Sequence, residues 1–321
     1  MKVSFSRRVK EEVVFNDFDS CCSKAMLAAI LKINGTLSVN KQGLTITVRT
    51  ENAKIASKIH KLLKYLYQPE ISFVVSRKMK LKKNNVYILR ISKAKGILED
   101  LSLLSLTGIK DHPDKQLLAK ECCKRAYLAG IFLACGSVND PITPNYHLEL
   151  SIHEESLAVF VQSIMQQFSL PAKMIKRRSR YVVYVKSSEK IGDFLRSIGA
   201  SQSVLNFEGT RIDRTMSNTV NRWNNCDIAN EVKTLTTANE QIENIHTIEM
   251  FAGLQVLDEK THQVALLRLQ YPECSLLELS TLYMNNTGQT ISKSGLHRHL
   301  QKIKKEANRL RLMESEKYGK N

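Results

Sequence analysis

The sequence predicts an α+β protein: a duplicated αββαββ unit with pseudo-two-fold symmetry, a long linker helix, and an all-α terminal domain. Three observations predict it. The stretch from Cys21 to Gly35 returns 101 residues later as Cys122 to Gly136, and the pattern that follows each copy is repeated too. Ile228, Val232, Leu235, Ala238, Ile242, Ile245 and Ile248 recur at three- and four-residue intervals, the stripe of one long helix. Beyond residue 253 come three short amphipathic segments, separated by Tyr271-Pro272 and by a stretch rich in Asn and Gly.

The first copy occupies 1–95. It opens on the charged amphipathic run Met1 to Glu12, which has no apolar signal region. The repeated helix follows, then the alternating run Leu44 to Arg49 and an amphipathic stretch from Asn52 to Leu66. Phe73-Val74-Val75 and Val86 to Ile91 flank a basic run of Arg77, Lys78, Lys80, Lys82 and Lys83. A connector, 96–120, leads to the second copy at 121–200. There Tyr146 to Ser151, Glu154 to Phe168 and Tyr181 to Lys186 occupy the same places, with Lys173, Lys176, Arg177, Arg178 and Arg180 as the basic run. Each repeated helix carries small residues where a partner backbone could approach, Ala28 and Ala29 in one, Ala129 and Gly130 in the other. Each stops at a glycine suited to a left-handed cap, Gly35 and Gly136. Two such helices can pack closely across a two-fold axis.

Leu128 to Gly136 closely resembles the nine-residue motif of the LAGLIDADG homing endonuclease fold, and Leu27 to Gly35 does so more loosely. In that family the eighth residue of each motif is an acid, and the two carboxylates hold the divalent metals that cut phosphodiesters. Here the degenerate catalytic positions are Asn34 and Cys135. Neither offers a carboxylate to a hard, oxygen-seeking cation, so a two-metal clamp lacks its ligands. Asp140 lies four residues past Gly136, but its counterpart is Val39. No enzymatic activity is expected.

Lys and Arg number 48 against 31 Asp and Glu, a formal charge of +17 and a pI near 9.5, in a chain that is 43% hydrophobic. That surplus suits double-stranded DNA, although RNA, a membrane face or solubility alone would also suit it. Matching positions on the two hairpins should bring the basic runs together on one sheet surface where a duplex could rest, as accessory DNA contacts. The seven cysteines include two vicinal pairs and fit a reducing compartment better than a disulfide framework. One of each pair is expected to fill core. Neither C-x-x-C nor C-x-x-H spacing occurs, so neither metal nor cofactor is expected. No stretch is apolar enough to span a bilayer, which implies a soluble, cytoplasmic protein.

Residues 201–252 join an amide-rich segment, Asn221 to Asn230, expected to cap a helix start, to the striped linker helix. The terminal domain, 253–321, reads as a helix-turn-helix with its motif at about 275–308. Val264 to Leu269 form the first helix, and Ser275-Leu276-Leu277-Glu278 is a capping box that opens the second. A turn with Asn285, Asn286 and Gly288 precedes a third helix capped by Ser292. Leu296, Leu300, Ile303, Ala307 and Leu310 make its apolar face; Lys293, Ser294, His297, Arg298, Gln301, Lys304 and Lys305 lie opposite. Ser292 and Lys293 would seat this helix on phosphate. Ser294, His297, Arg298 and Gln301 would reach base edges, and Lys304 and Lys305 would hold phosphates beyond.

The order of these parts, together with Ser4-Phe5-Ser6 and the terminal Ser292-Lys293-Ser294-Gly295, resembles the WhiA family of sporulation and cell-division regulators from Gram-positive bacteria. The resemblance covers essentially the whole chain. It implies a nucleoid-associated, transcription-factor-like DNA-binding protein involved in cell division and chromosome segregation, with a non-cutting nuclease-like half. His297-Arg298-His299 stands where the family usually has Asn-His-Arg, so base preference does not carry over. Two other classes remain open: an adaptor that contacts RNA polymerase or another regulator, and a residual nuclease.

Overall fold

A computed structural model describes residues 3–40, 43–77 and 85–318. Its contacts divide the chain into two compact units, Met1–Thr215 and Met216–Asn321.

The first unit begins with α1 (Phe5–Val13), which Ser4 caps by accepting the Arg7 N–H, and which buries Phe5, Val9 and Val13. The first repeat then runs α2 (Ser20–Asn34), β1 (Gly35–Asn40), β2 (Gly43–Thr50), α3 (Ala53–Leu66), β3 (Ile71–Arg77) and β4 (Asn85–Ile91). Residues 95–109 hold α4 (Lys95–Asp100) and a small hairpin of β5 (Leu104–Ser105) and β6 (Gly108–Ile109), elements that hydropathy periodicity did not single out. The second repeat is α5 (Glu121–Cys135), β7 (Gly136–Val138), β8 (Leu148–Ile152), α6 (Glu155–Gln167), β9 (Lys173–Arg177) and β10 (Arg180–Val185). α7 (Ser188–Ser197), also missed by periodicity, follows. The two sheets share one antiparallel plan, β1-β2-β4-β3 and β7-β8-β10-β9, so the doubling legible in the sequence is a doubling of topology.

α2 and α5 are apolar on nearly every side, as helices must be when they lie inside a core shared by both repeats. They approach closely at Gly130, where a Cβ would stand 2.5 Å from the Met26 carbonyl oxygen and 2.7 Å from Ala29 Cβ. Gly130→Ala therefore forces the helices apart. Overpacking of about 3 kcal/mol, less about 1 kcal/mol gained in helix propensity, leaves an expected loss of about 2 kcal/mol in denaturant unfolding. An unchanged midpoint would show that the contact can relax.

The glycines that end these helices differ from expectation. Gly35 and Gly136 are extended, with φ of −84° and −78°, and lead straight into β1 and β7. What demands glycine is space: a Cβ would lie 2.3 Å from the Leu31 carbonyl oxygen at Gly35 and 2.3 Å from the Phe132 ring at Gly136.

α8 (Ser201–Phe251) crosses the division between units. Asn221 to Asn230 does not open a helix; it lies within α8, exposed along its whole length. The apolar stripe is also only partly a packing face. Ile228 and Val232 are more than half exposed, whereas Ala238, Ile245 and Ile248 are buried.

In the second unit, α9 (Glu259–Gln270), α10 (Leu276–Thr287) and α11 (Lys293–Tyr318) enclose a separate core with the last turns of α8. The Ser275–Glu278 capping box forms as read. Asn285 and Asn286, however, belong to the last turn of α10, which Gly288 ends in the left-handed region at φ 69°. The connection to α11 is thus Gly288 to Ser292, and the Ser280 hydroxyl donates to the Ile291 carbonyl to tie it back. Among the described residues no helix is long and apolar enough to cross a membrane.

Candidate nucleic-acid interface

Asn34 and Cys135 are the last residues of α2 and α5, where the paired acids of a LAGLIDADG nuclease would project. Asn34 lines a cleft of about 800 Å³ with Arg7, Lys10, Arg49 and, from α5, Leu133 and Ala134. Cys135 turns back into its helix, its thiol donating to the Ile131 carbonyl at 3.4 Å. Burial pushes that thiol up to about 12, opposed by the nearby Lys10 ammonium. Burial likewise lowers the Lys10 ammonium, opposed by Cys135. Among the described residues lining the cleft, Glu51 is the carboxylate, set against Arg7, Lys10 and Arg49. A pair of hard divalent cations needs several carboxylate oxygens between the helix ends; an amide, a protonated thiol and a lysine do not fit. Asp140 is committed elsewhere, accepting from the Ile142 N–H at 3.1 Å and lying 3.8 Å from the Arg8 guanidinium.

The basic runs divide between faces, because successive strand residues point to opposite sides. Val183 faces the core and pairs with Met174, so Lys173, Arg177 and Arg180 share the opposite face. Lys176 is on the core side, its ammonium 5.5 Å from the Tyr181 ring centroid. Arg178 occupies the two-residue turn at φ 58°. All five are exposed. In the first sheet Arg77 has the same parity as Phe73, which pairs with core-facing Leu89. Lys78, Lys80, Lys82 and Lys83 lie outside the described residues. Strand parity instead brings Arg49 and Arg90, both exposed, to the face away from the core. Neither arginine belongs to a run of charge along the chain; their alternation with Val48 and with Leu89 and Ile91 is the signal the sequence carries for them.

On α11 the Ser292 side chain caps the helix by accepting the Gly295 N–H at 3.1 Å. The apolar residues Leu296, Leu300, Ile303 and Ala307 are buried. At 100° per residue, Ser294, Arg298, Gln301 and Lys305 form the row directly opposite, and all four are exposed. None of these four side chains makes a hydrogen bond or ion pair among the described residues. His297 is exposed at the edge of that row, whereas Lys293, also exposed, falls beside the apolar stripe rather than opposite it and flanks a groove lined by Thr234 and Thr237 of α8. Lys304 turns toward α8, its ammonium 2.5 Å from Glu240, so its cation is engaged inside the unit. His299 is also internal: its Nδ1 lies 2.7 Å from the Thr261 hydroxyl, and burial lowers its pKa.

Three family models match the chain: the WhiA N-terminal LAGLIDADG-like domain over 20–104, the WhiA LAGLIDADG-like domain over 124–217 and the WhiA C-terminal HTH domain over 220–307. A relative from Macrococcus caseolyticus, named probable cell division protein WhiA, is 44% identical over 310 residues, 96% of this chain and 97% of its own. One of the same name from Bacillus subtilis is 42% identical, covering 96% of this chain and 98% of its own. The crystal structure of full-length WhiA from Thermatoga maritima superposes with a TM-score of 0.57 at 25% identity, covering 96% of this chain and 99% of that one. A LAGLIDADG-like pair that has lost its acids, followed by a helix-turn-helix and matched over nearly its full length, places this chain in the WhiA family.

Proposed function

We propose that the protein is a sequence-specific, double-stranded-DNA-binding transcriptional regulator of cell division and chromosome segregation, with no nuclease activity of its own. The reading rests on one observation above others: the Ser294, Arg298, Gln301 and Lys305 row of α11 is exposed and unpaired, opposite a buried apolar face. A helix anchored on one side and bare on the other can enter a major groove without losing an internal contact. Ser292 and Lys293 at the helix start would meet phosphate, with His297 as a further edge contact; Lys305 would hold phosphate beyond the bases. Lys304 would have to leave Glu240 before it could do so. Lys173, Arg177 and Arg180, with Arg49 and Arg90, are proposed as accessory phosphate contacts, and Arg77, Lys176 and Arg178 as weaker ones at strand ends and the turn. Cell-division involvement draws on the name that the relatives carry.

Two measurements on the full chain test the proposal. Affinity for a selected duplex should fall steeply with salt, by about 10³-fold between 50 and 200 mM if roughly six phosphates are neutralised. Supercoiled plasmid with magnesium or manganese should remain uncut; nicking by the purified protein would defeat the non-enzymatic reading. The rival adaptor reading, with RNA polymerase or another regulator as partner, draws on exposed Met216, Val220 and Trp223 of α8. A salt-insensitive isotherm with such a partner, and none with DNA, would favour it.

A further inference from the structure

Each central helix carries a vicinal cysteine pair in its first turn, Cys21-Cys22 in α2 and Cys122-Cys123 in α5. Because the two helices pack together through their small residues, these turns converge. The four sulfurs all lie within 4.8 Å of one another, Cys22 Sγ standing 4.0 Å from Cys123 Sγ, and all four cysteines are free. We propose that they form a structural site for one thiophilic divalent cation of the zinc class, which fastens the two repeats together.

The geometry is close to what such an ion requires. Zinc–sulfur bonds of about 2.3 Å in a tetrahedron set neighbouring sulfurs roughly 3.8 Å apart, so the cluster closes on the ion with shifts of under about 1 Å. Disulfides would instead draw two pairs to about 2.05 Å. Four thiols with no carboxylate or imidazole among them form a soft donor set, which selects zinc over magnesium or calcium. Burial is graded in a way that suits uptake: Cys22 and Cys123 are buried, Cys21 is half-buried and Cys122 is exposed. The ion can enter from the Cys122 side and be shielded on the other.

Charge is also provided for. One divalent cation and four thiols become a tetrathiolate complex of net charge −2 and release four protons to solvent. Both helices present their N-terminal ends there, so two positive dipole ends face that charge. Lys120, at the N-cap of α5, adds a positive charge at the same end of the helix. The pairs are too far apart in the chain for any short spacing motif to reveal them. Only the pseudo-two-fold packing completes the set.

The test uses the full chain, grown with added zinc and purified in reductant without chelator. Metal analysis should find one zinc per chain. Metal-free protein titrated with cobalt(II) should develop the thiolate charge-transfer and ligand-field bands of a tetrahedral tetrathiolate. Cys122→Ser alters the exposed sulfur and should still fold. It is expected to lower zinc affinity at least about 100-fold, the upper limit for losing only an outer-shell partner. Cys226→Ser, in the exposed part of α8, should leave the stoichiometry at one. The proposal is overturned if the protein retains no zinc and gives no cobalt bands, or if those bands persist unchanged in Cys122→Ser. Mass spectrometry finding α2–α5 disulfides in protein purified without reductant, in place of metal, would overturn it in favour of a redox pair.

Discussion

Arg268→Ala is expected to destabilise the 216–321 unit by about 3 kcal/mol, because it removes a buried charged donor and strands the groups it serves. Arg268 is 2% exposed, and its Nη1 donates to the Cys274 carbonyl at 2.7 Å, with the Tyr271 and Pro272 carbonyls at 3.4 and 3.5 Å. These carbonyls line the turn between α9 and α10, whose course sets where the Ser275 cap begins. Without the guanidinium the turn must either leave the carbonyls unpaired or open to water. Arg268→Met, which keeps an apolar stem, should recover the packing part of the loss but little of the hydrogen-bonding part. Thermal unfolding measures both variants. At about 4–8 °C per kcal/mol for a unit of this size, the alanine variant should melt roughly 12–24 °C lower. A shift of only a few degrees would mean that the turn is held by its backbone alone.

Arg298→Ala should do the opposite: leave stability alone and weaken specific DNA binding by about 1–3 kcal/mol, roughly 5- to 150-fold. Its side chain is exposed and makes no internal hydrogen bond or ion pair among the described residues, so the fold loses nothing with it. Its planar fork can grip a guanine through O6 and N7, a contact that neither Ser294 nor Gln301 can replace. Preference at one base pair should flatten in a binding-site selection, while Lys305→Ala should weaken all sequences alike. An unchanged selection profile for Arg298→Ala would move base reading to another residue. Comparing Arg298→Ala with Arg268→Ala also separates two causes of lost binding, since only the latter should lower the melting temperature.

Much of the architecture was legible in the chain. The doubled helix, strands and hairpins could be read because period-two and period-3.6 patterns record which face of each element is buried. The capping box at Ser275 and the Ser292 cap were also legible, since a cap depends on residues within one turn of each other. α7 and the β5–β6 hairpin were not singled out, nor was the end of α10. There Asn285 and Asn286 suggest a turn, yet helical hydrogen bonding continues to Gly288.

Side-chain roles were less legible, because they depend on partners far away in sequence. The linear run of cations could not say that Lys304 pairs with Glu240, that His299 meets Thr261, or that strand parity parts Lys176 from Lys173 and Arg177. Nor could it say that half of the α8 stripe would stay exposed.

By itself the sequence determined the doubled topology, the loss of the paired acids at Asn34 and Cys135, and the apolar side of α11. Each of these is local, fixed by residue identity and by spacing within one element. Tertiary structure alone decided why Gly35 and Gly136 must be glycine, which cations remain unpaired, and that Cys21, Cys22, Cys122 and Cys123 meet. Those outcomes come from close packing: the repeat along the chain gives two matching helices, but which of their atoms, a hundred residues apart, come into contact depends on how the helices pack.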